Sequence, residues 1–402
     1  MKRLLPAVFA VAFFIIPLFP SFITLTAVTV PGVSLLPPPV TIALLAVCCA
    51  IAAYFAVLLL RLPRERPATL VPLALWVATG FVCALLGFNP AAGMLFIGIA
   101  AVDVIWHLVI VRYYRMRGAS RAIYGSWLIS GTLASLAAIA MVALRLPANQ
   151  YAIAHGRAIG TFILPGELAG YLIVFLPLAY AVAITAASAR LRGLAWVALA
   201  AGVAAFVLTF SRAGWMGLAA AVAFFAYSRG AVQRRYAPLI LLAGLAAVLV
   251  VFNAHHNPAE NYTRLSIFQA AIEIIRRFPL TGVGPFDFAR IYPLVRLPDG
   301  DPQAFHAHSF MLTIFAETGI AGVIATLAVW WVFAVELRRR LRTAHPAGAT
   351  LALALAAGLA GTWVQGLIDT VSVVIFGLWM PSMALALAAA SGGYGGDDES
   401  SV

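Results

Sequence analysis

Almost the whole chain alternates apolar runs of about 20 residues with short breaks rich in arginine, proline or glycine, and a run of that length is what a helix needs to cross the roughly 30 Å hydrocarbon layer. A helix also satisfies its own backbone polar groups, which lipid cannot do. With 63% of the 402 residues hydrophobic and only 10% charged, there is too little polar surface to clothe a soluble globule. The sequence therefore predicts an all-α polytopic membrane protein.

Reading runs against breaks gives twelve expected helices, near 4–28, 40–60, 68–87, 91–111, 122–145, 163–187, 194–210, 213–227, 237–253, 308–335, 347–367 and 371–391. This organises the chain as nine helices over 1–253, an external loop over 254–307, three more helices over 308–391, and a Gly-rich acidic tail over 392–402 expected to be disordered on the cytoplasmic side. The opening MKRLLPAVFAVAFFII has the form of a secretory signal, but no small-x-small cleavage site follows, so it reads as an uncleaved first helix. Cys48, Cys49 and Cys83 all fall inside apolar runs, which implies no disulfide framework.

Basic residues set the orientation. With the N-terminus inside, 18 of the 26 Lys and Arg fall in cytoplasmic loops, among them Arg112, Arg115, Arg121, Arg190, Arg192, Arg229 and Arg338 to Arg340. The positive-inside rule is obeyed loop after loop. The net charge of +12 is then topology plus attraction to anionic lipids, and no nucleic-acid partner is needed to explain it.

Five of the eight remaining arginines (Arg264, Arg276, Arg277, Arg290 and Arg296) belong to the single loop 254–307, and loops that long without a task are uncommon. Leu265, Phe268, Ile272 and Ile275 recur there at helical spacing, predicting an amphipathic helix on the membrane surface, which PLTGVGPFDF then breaks. No Cys/His cluster has metal-ligand spacing and no glycine loop has the form of a phosphate cradle, so neither metal nor cofactor is expected.

A few polar groups stand where chemistry could use them. Arg212, in the tight turn of LTFSRAGWMGL, would lie at headgroup depth, either gripping a phosphate with its planar fork or snorkelling idly from a helix end. Arg157 and Glu167 flank AIGTFILP, as binding groups, as a surface ion pair, or with Glu167 capping the next helix. His306 and His308 stand at the entry to the tenth helix, whose dipole would disfavour imidazolium and leave a neutral ring able to take a proton. Glu317, further along that helix, is expected to brace neighbouring helices, and Asp369 with Gln365 ends the eleventh. Asp103 and His107, four apart on the fourth helix, are expected to form a structural ion pair.

RLSIFQAAIEIIRRFPLTGVGPFDF followed by HAHSFMLTIFAETGIAG resembles the characteristic region of the O-antigen ligase and O-antigen polymerase superfamily. RAIGTFILPGELAGYL, FSRAGWMGL and the GLID at 366–369 are similar to further signatures of that family, in the same order, over roughly residues 150–370. Two positions depart from it: Ser309 follows His308 where the family usually has asparagine, and Gly166-Glu167 follow Pro165 where it often has Pro-Asn. The resemblance implies a glycosyltransferase of the bacterial inner membrane whose 254–307 loop and active site face the periplasm. Its donor would be a glycan on undecaprenyl pyrophosphate, and its acceptor lipid A–core in a ligase, a second lipid-linked glycan in a polymerase, or a protein in a related branch. On that resemblance His308, or else His306, removes the acceptor proton, while Arg157, Arg212 and Arg264 hold the pyrophosphate without a metal and Glu167, Glu317 and Asp369 support them. The contrasting non-enzyme reading is a transporter or lipid flippase, which predicts broken helices and mid-membrane charges.

Overall fold

The structure, a computed structural model, describes residues 4–18, 67–116, 118–230, 258–298, 300–301, 304–369 and 379–391, with a few positions between 50 and 57. The helices expected near 40–60 and 237–253, the start of the last one and the 392–402 tail lie outside the described residues. The elements are α1 (Leu5–Leu18), α2 (Leu70–Leu86), α3 (Pro90–Tyr113), α4 (Ala119–Leu144), α5 (Ala148–Ile153), α6 (Pro165–Thr185), α7 (Ala189–Leu208), α8 (Arg212–Ser228), α9 (Pro258–Arg277), α10 (Phe288–Val295), α11 (Phe310–Leu341), α12 (Pro346–Gln365) and α13 (Trp379–Ser391). No strand occurs among the described residues. Six of these helices, α3, α4, α6, α7, α11 and α12, are long and apolar enough to span a membrane, and α1, α2 and α13 are shorter apolar helices. The chain is thus a multi-pass helical protein, with fewer spans established directly than the expected twelve.

α6 is the hub. The apolar window of α6 is 83% buried, against 22% for α3, and α6 packs against α7, α8 and α12. Small residues bring the helices together, as expected where lipid removes the hydrophobic drive and close contact must supply the attraction. A side chain at Gly202 of α7 would meet Leu176 at 2.8 Å, and at Gly358 of α12 it would meet the Val174 backbone at 2.7 Å. Where α8 crosses α12, a side chain at Gly217 would meet the Gly361 carbonyl at 2.7 Å. Bulky apolar side chains such as Leu75, Ile324 and Trp331 point outward, the surface lipid would cover.

Helix direction alternates, so each long helix has one end at each pole. Pole A holds the start of α6, the end of α7, the starts of α8 and α11, and the end of α12. Pole B holds the starts of α4, α7 and α12 and the ends of α6, α8 and α11. At pole B, Glu336 takes both Arg339 nitrogens at 2.8 Å and Arg340 Nε at 2.5 Å, and Arg340 also reaches the Leu387 carbonyl.

Two expectations about single elements change. The tenth expected helix is not continuous: α11 breaks at Gly319, whose φ of 61° and ψ of −165° only glycine adopts readily. The segment 279–284 fills the break. Val283 and Gly284 donate to the carbonyls of Ala316 and Glu317 at 2.9 Å, while Ile320 and Ala321 donate to those of Pro279 and Leu280. Gly282 and Gly319 are reciprocal, since a Cβ on either would strike the backbone of the other segment. The second change is at His107, which bonds Thr69 Oγ1 at 2.8 Å and the Met380 carbonyl at 3.4 Å, so it ties α3 to α2 and α13 in place of the expected pairing with Asp103.

Candidate functional site

Pole A is assembled from four segments far apart in sequence, joined mostly through backbone. The end of α12 is its keystone. Gln365 donates its amide to the Gly166 carbonyl at 2.8 Å, Phe310 N–H donates to the Gly366 carbonyl at 2.6 Å, and Arg264 donates to the Ile368 carbonyl at 2.9 Å. Asp369 closes over the start of α6, where a side chain at Gly166 would meet its Oδ2 at 2.5 Å. Glycine at 166, one of the departures from the family pattern, thereby makes room for that carboxylate.

Glu167, in the first turn of α6, takes the capping role. It is 3% exposed, and its Oε2 accepts from Ile163 N–H at 3.0 Å, where the positive end of the helix dipole favours a carboxylate.

The two histidines lie just before α11, which starts at Phe310, with ring centroids 4.5 Å apart. His308 has φ +48°, a left-handed conformation strained for any residue but glycine, and its N–H donates to His306 Nδ1 at 3.1 Å. Accepting that bond fixes the tautomer of a neutral His306, with its proton on Nε2. His308 Nδ1 is shielded from solvent and has no hydrogen-bond partner among the described residues. Burial pushes His308 down to about 4, assisted by the positive charge of Arg264. His306 is pushed to about 3, by burial first, then by His308, with Arg264 adding to the effect and Asp369 opposing it. Both rings are neutral near pH 7. Burial, and not the helix dipole the sequence suggested, is the principal reason.

Arg157 donates to the carbonyls of Thr209 (2.8 Å) and Phe210 (3.4 Å), neutralising the negative end of α7. Phe210, at φ +47°, turns the chain sharply into α8, where Ser211 caps Gly214 N–H at 3.1 Å and Arg212 opens the helix. Gly214 abuts Ala169 in the first turns of α6, so this turn sits beside Glu167. The structure therefore places Arg157, Arg212, Arg264, Glu167, His306, His308 and Asp369 at one pole.

Glu317 stands apart from them. It lies in the α11 break, and its Oε1 accepts from Phe288 N–H at 3.4 Å, capping α10 where the sequence suggested a brace between spans. Sequence reasoning also missed the clasp in which Asp287 accepts from Asn89 N–H at 2.7 Å, with burial raising that carboxyl above its ordinary range. The glycines of GVG and ETG were its only visible signal.

In α9 the face packed on α10 and α11 is Ile267, Ala270, Ala271 and Ile274. The expected membrane stripe lies on the other side, with Leu265 and Ile272 exposed. Among the described residues no group of three His, Cys, Asp or Glu is placed to hold a metal ion.

Fold and site together define a multi-pass helical membrane protein with histidines and arginines gathered at one membrane face. Residues 197–327 match a family model described as O-Antigen ligase, which supports the chain's place in the O-antigen ligase superfamily. The matched segment contains Arg212, Arg264, His306, His308 and Glu317, whereas Arg157, Glu167 and Asp369 lie outside it. No curated protein matches the chain.

Proposed function

We propose that the protein is an O-antigen ligase-type glycosyltransferase, moving a glycan from undecaprenyl pyrophosphate to an acceptor hydroxyl of lipid A–core on the periplasmic face of the inner membrane. The observation that carries this reading is the shielded, unpartnered Nδ1 of His308 within electrostatic reach of Arg264, at a pole to which Arg157 and Arg212 also belong. His308 Nδ1 takes the proton of the acceptor hydroxyl as that oxygen attacks the anomeric carbon, and the glycosyl–phosphate bond breaks with its electrons leaving on the lipid pyrophosphate. Direct displacement inverts the anomeric centre. His306 holds His308 in its strained conformation.

A ring titrating near 4 is a weak base. An incoming pyrophosphate offsets the charge of Arg264 and so makes His308 more basic only when donor is bound. Arginine forks bind the leaving group, and transfer is expected to persist in EDTA, measured as product formed by the purified protein.

Broken helices are what the transporter or flippase reading asks for, and α11 is broken. The groups freed there are bonded to the chain's own 279–284 backbone, which leaves them occupied rather than offered to a cargo, so the enzyme reading is preferred. The decisive experiment is deletion followed by gel analysis of lipopolysaccharide and carrier-linked glycan. Full-length glycan stranded on the carrier supports the ligase. Single stranded repeats indicate a polymerase, a glycoprotein lost with normal lipopolysaccharide indicates a protein O-oligosaccharyltransferase, and glycan trapped on the cytoplasmic face indicates a flippase.

A further inference from the structure

At pole B, opposite the candidate site, α4 and α7 begin side by side and enclose a cavity of about 560 Å³ lined by Arg121, Ser188, Ala189, Arg190, Leu191 and Leu194. The two arginines come from different helices, both long and apolar enough to span the membrane, and each lies within the first turn of its helix. That puts two guanidinium groups at headgroup depth around one cavity whose lining contains no carboxylate. Pole B handles its other arginines differently, since Arg339 and Arg340 are tied to Glu336 and Arg229 donates to Thr350 Oγ1.

The walls of the cavity are graded along the helix axis. Below the arginines come Leu191 and Leu194, and α7 then continues with the exposed apolar side chains of Trp196, Val197 and Val203. Tyr180 of α6 stands edge-on to Trp196 at 6.3 Å and extends that apolar wall. Such a surface fits an amphiphile: an anion held by two planar forks, with hydrocarbon lying along the helices beneath it. A free phosphate would use the arginines and leave the apolar continuation without a purpose. Basic pockets between membrane helices are known sites for anionic headgroups.

We infer that the Arg121–Arg190 cavity binds the phosphate-bearing headgroup of an anionic glycerophospholipid, with its acyl chains against the exposed face of α7. This site is separate from pole A and does not depend on the proposed transfer reaction.

The test uses the full chain purified into mixed micelles of phosphatidylglycerol and phosphatidylcholine, with retained lipid counted by native mass spectrometry. The wild type should retain phosphatidylglycerol in preference to phosphatidylcholine. Arg121→Gln with Arg190→Gln should weaken that retention by about 30-fold, at roughly fivefold per arginine near a membrane surface. Arg121→Lys with Arg190→Lys should keep part of it, and that pair also shows that the lesion is not misfolding. Titration with inorganic phosphate separates the two sources of the anion. If phosphate binds at these arginines and phosphatidylglycerol shows no preference over phosphatidylcholine, the lipid assignment is overturned. Equal retention of both lipids by wild type and Gln variant overturns it as well.

Discussion

The two poles of this bundle use the same residue type in opposite ways. At pole B, Glu336 meets Arg339 and Arg340 through their side chains, an arrangement in which charge cancels charge. At pole A, Arg157 and Arg264 spend hydrogen bonds on main-chain carbonyls of Thr209, Phe210 and Ile368. A carbonyl orients a guanidinium without removing its charge. The first arrangement anchors helices, whereas the second aims positive charge at a place where an anion would be welcome. Location on the bundle alone does not separate a structural arginine from a functional one; the chemistry of its acceptor does.

That contrast can be broken at either end. The largest effect is expected from His308→Ala, which removes the only ring nitrogen placed to take a proton; transfer should fall by about 10²–10⁴-fold while carrier-lipid binding is retained. Near wild-type turnover in that variant would falsify the assignment of the base and move attention to His306. Arg212→Lys keeps the charge and loses the planar fork, so transfer should drop by about 10- to 100-fold, the worth of one charge-assisted bond. Full activity would return Arg212 to the class of anchors, alongside those of pole B.

Glu336→Ala tests the opposite pole. Arg339 is 71% exposed and recovers water readily, so the loss should be a modest roughly 1–2 kcal/mol in thermal stability with transfer per folded molecule unchanged. A loss of transfer at unchanged stability would mean that the poles are coupled. The smallest effect concerns pH. With His308 at about 4 in the free protein, kcat/KM should hardly change between pH 7 and pH 5, whereas a base with the ordinary value near 6.5 would lose about 30-fold over that interval. The same depressed value carries a sign for stability. The unfolded ring binds a proton below about 6.5, so the contribution of His308 is complete above that pH and is lost as pH falls towards about 4.

Much of the helical layout was legible because hydrocarbon thickness imposes a length on every span. The helices expected near 163–187, 194–210 and 213–227 appear as Pro165–Thr185, Ala189–Leu208 and Arg212–Ser228, separated by the breaks that the charges and glycines marked. The site was legible one residue at a time. His306, His308, Arg264 and Asp369 could be nominated from their chemistry, but the bonds that gather them run through backbone carbonyls at Gly166, Gly366 and Ile368, which carry no residue-specific signal. The inner face of α9 was hidden for a related reason. Its packing stripe includes Ala270 and Ala271, which look weak beside Leu265 and Ile272 yet allow the closer approach. Gly319 was invisible as a break because the apolar run continues unchanged through it.

The seam between residues 279–284 and the α11 break also bears on how the molecule can be rebuilt. In lipid each unpaired backbone group costs several kcal/mol, so the open turn at Gly319 can exist only while its partner segment is seated. The external loop and the span that follows it are accordingly one exchangeable part. A chimera that imports the loop from another member of the family while keeping this α11 would join two halves of a seam cut to different patterns, and Gly282 and Gly319 would have to travel together.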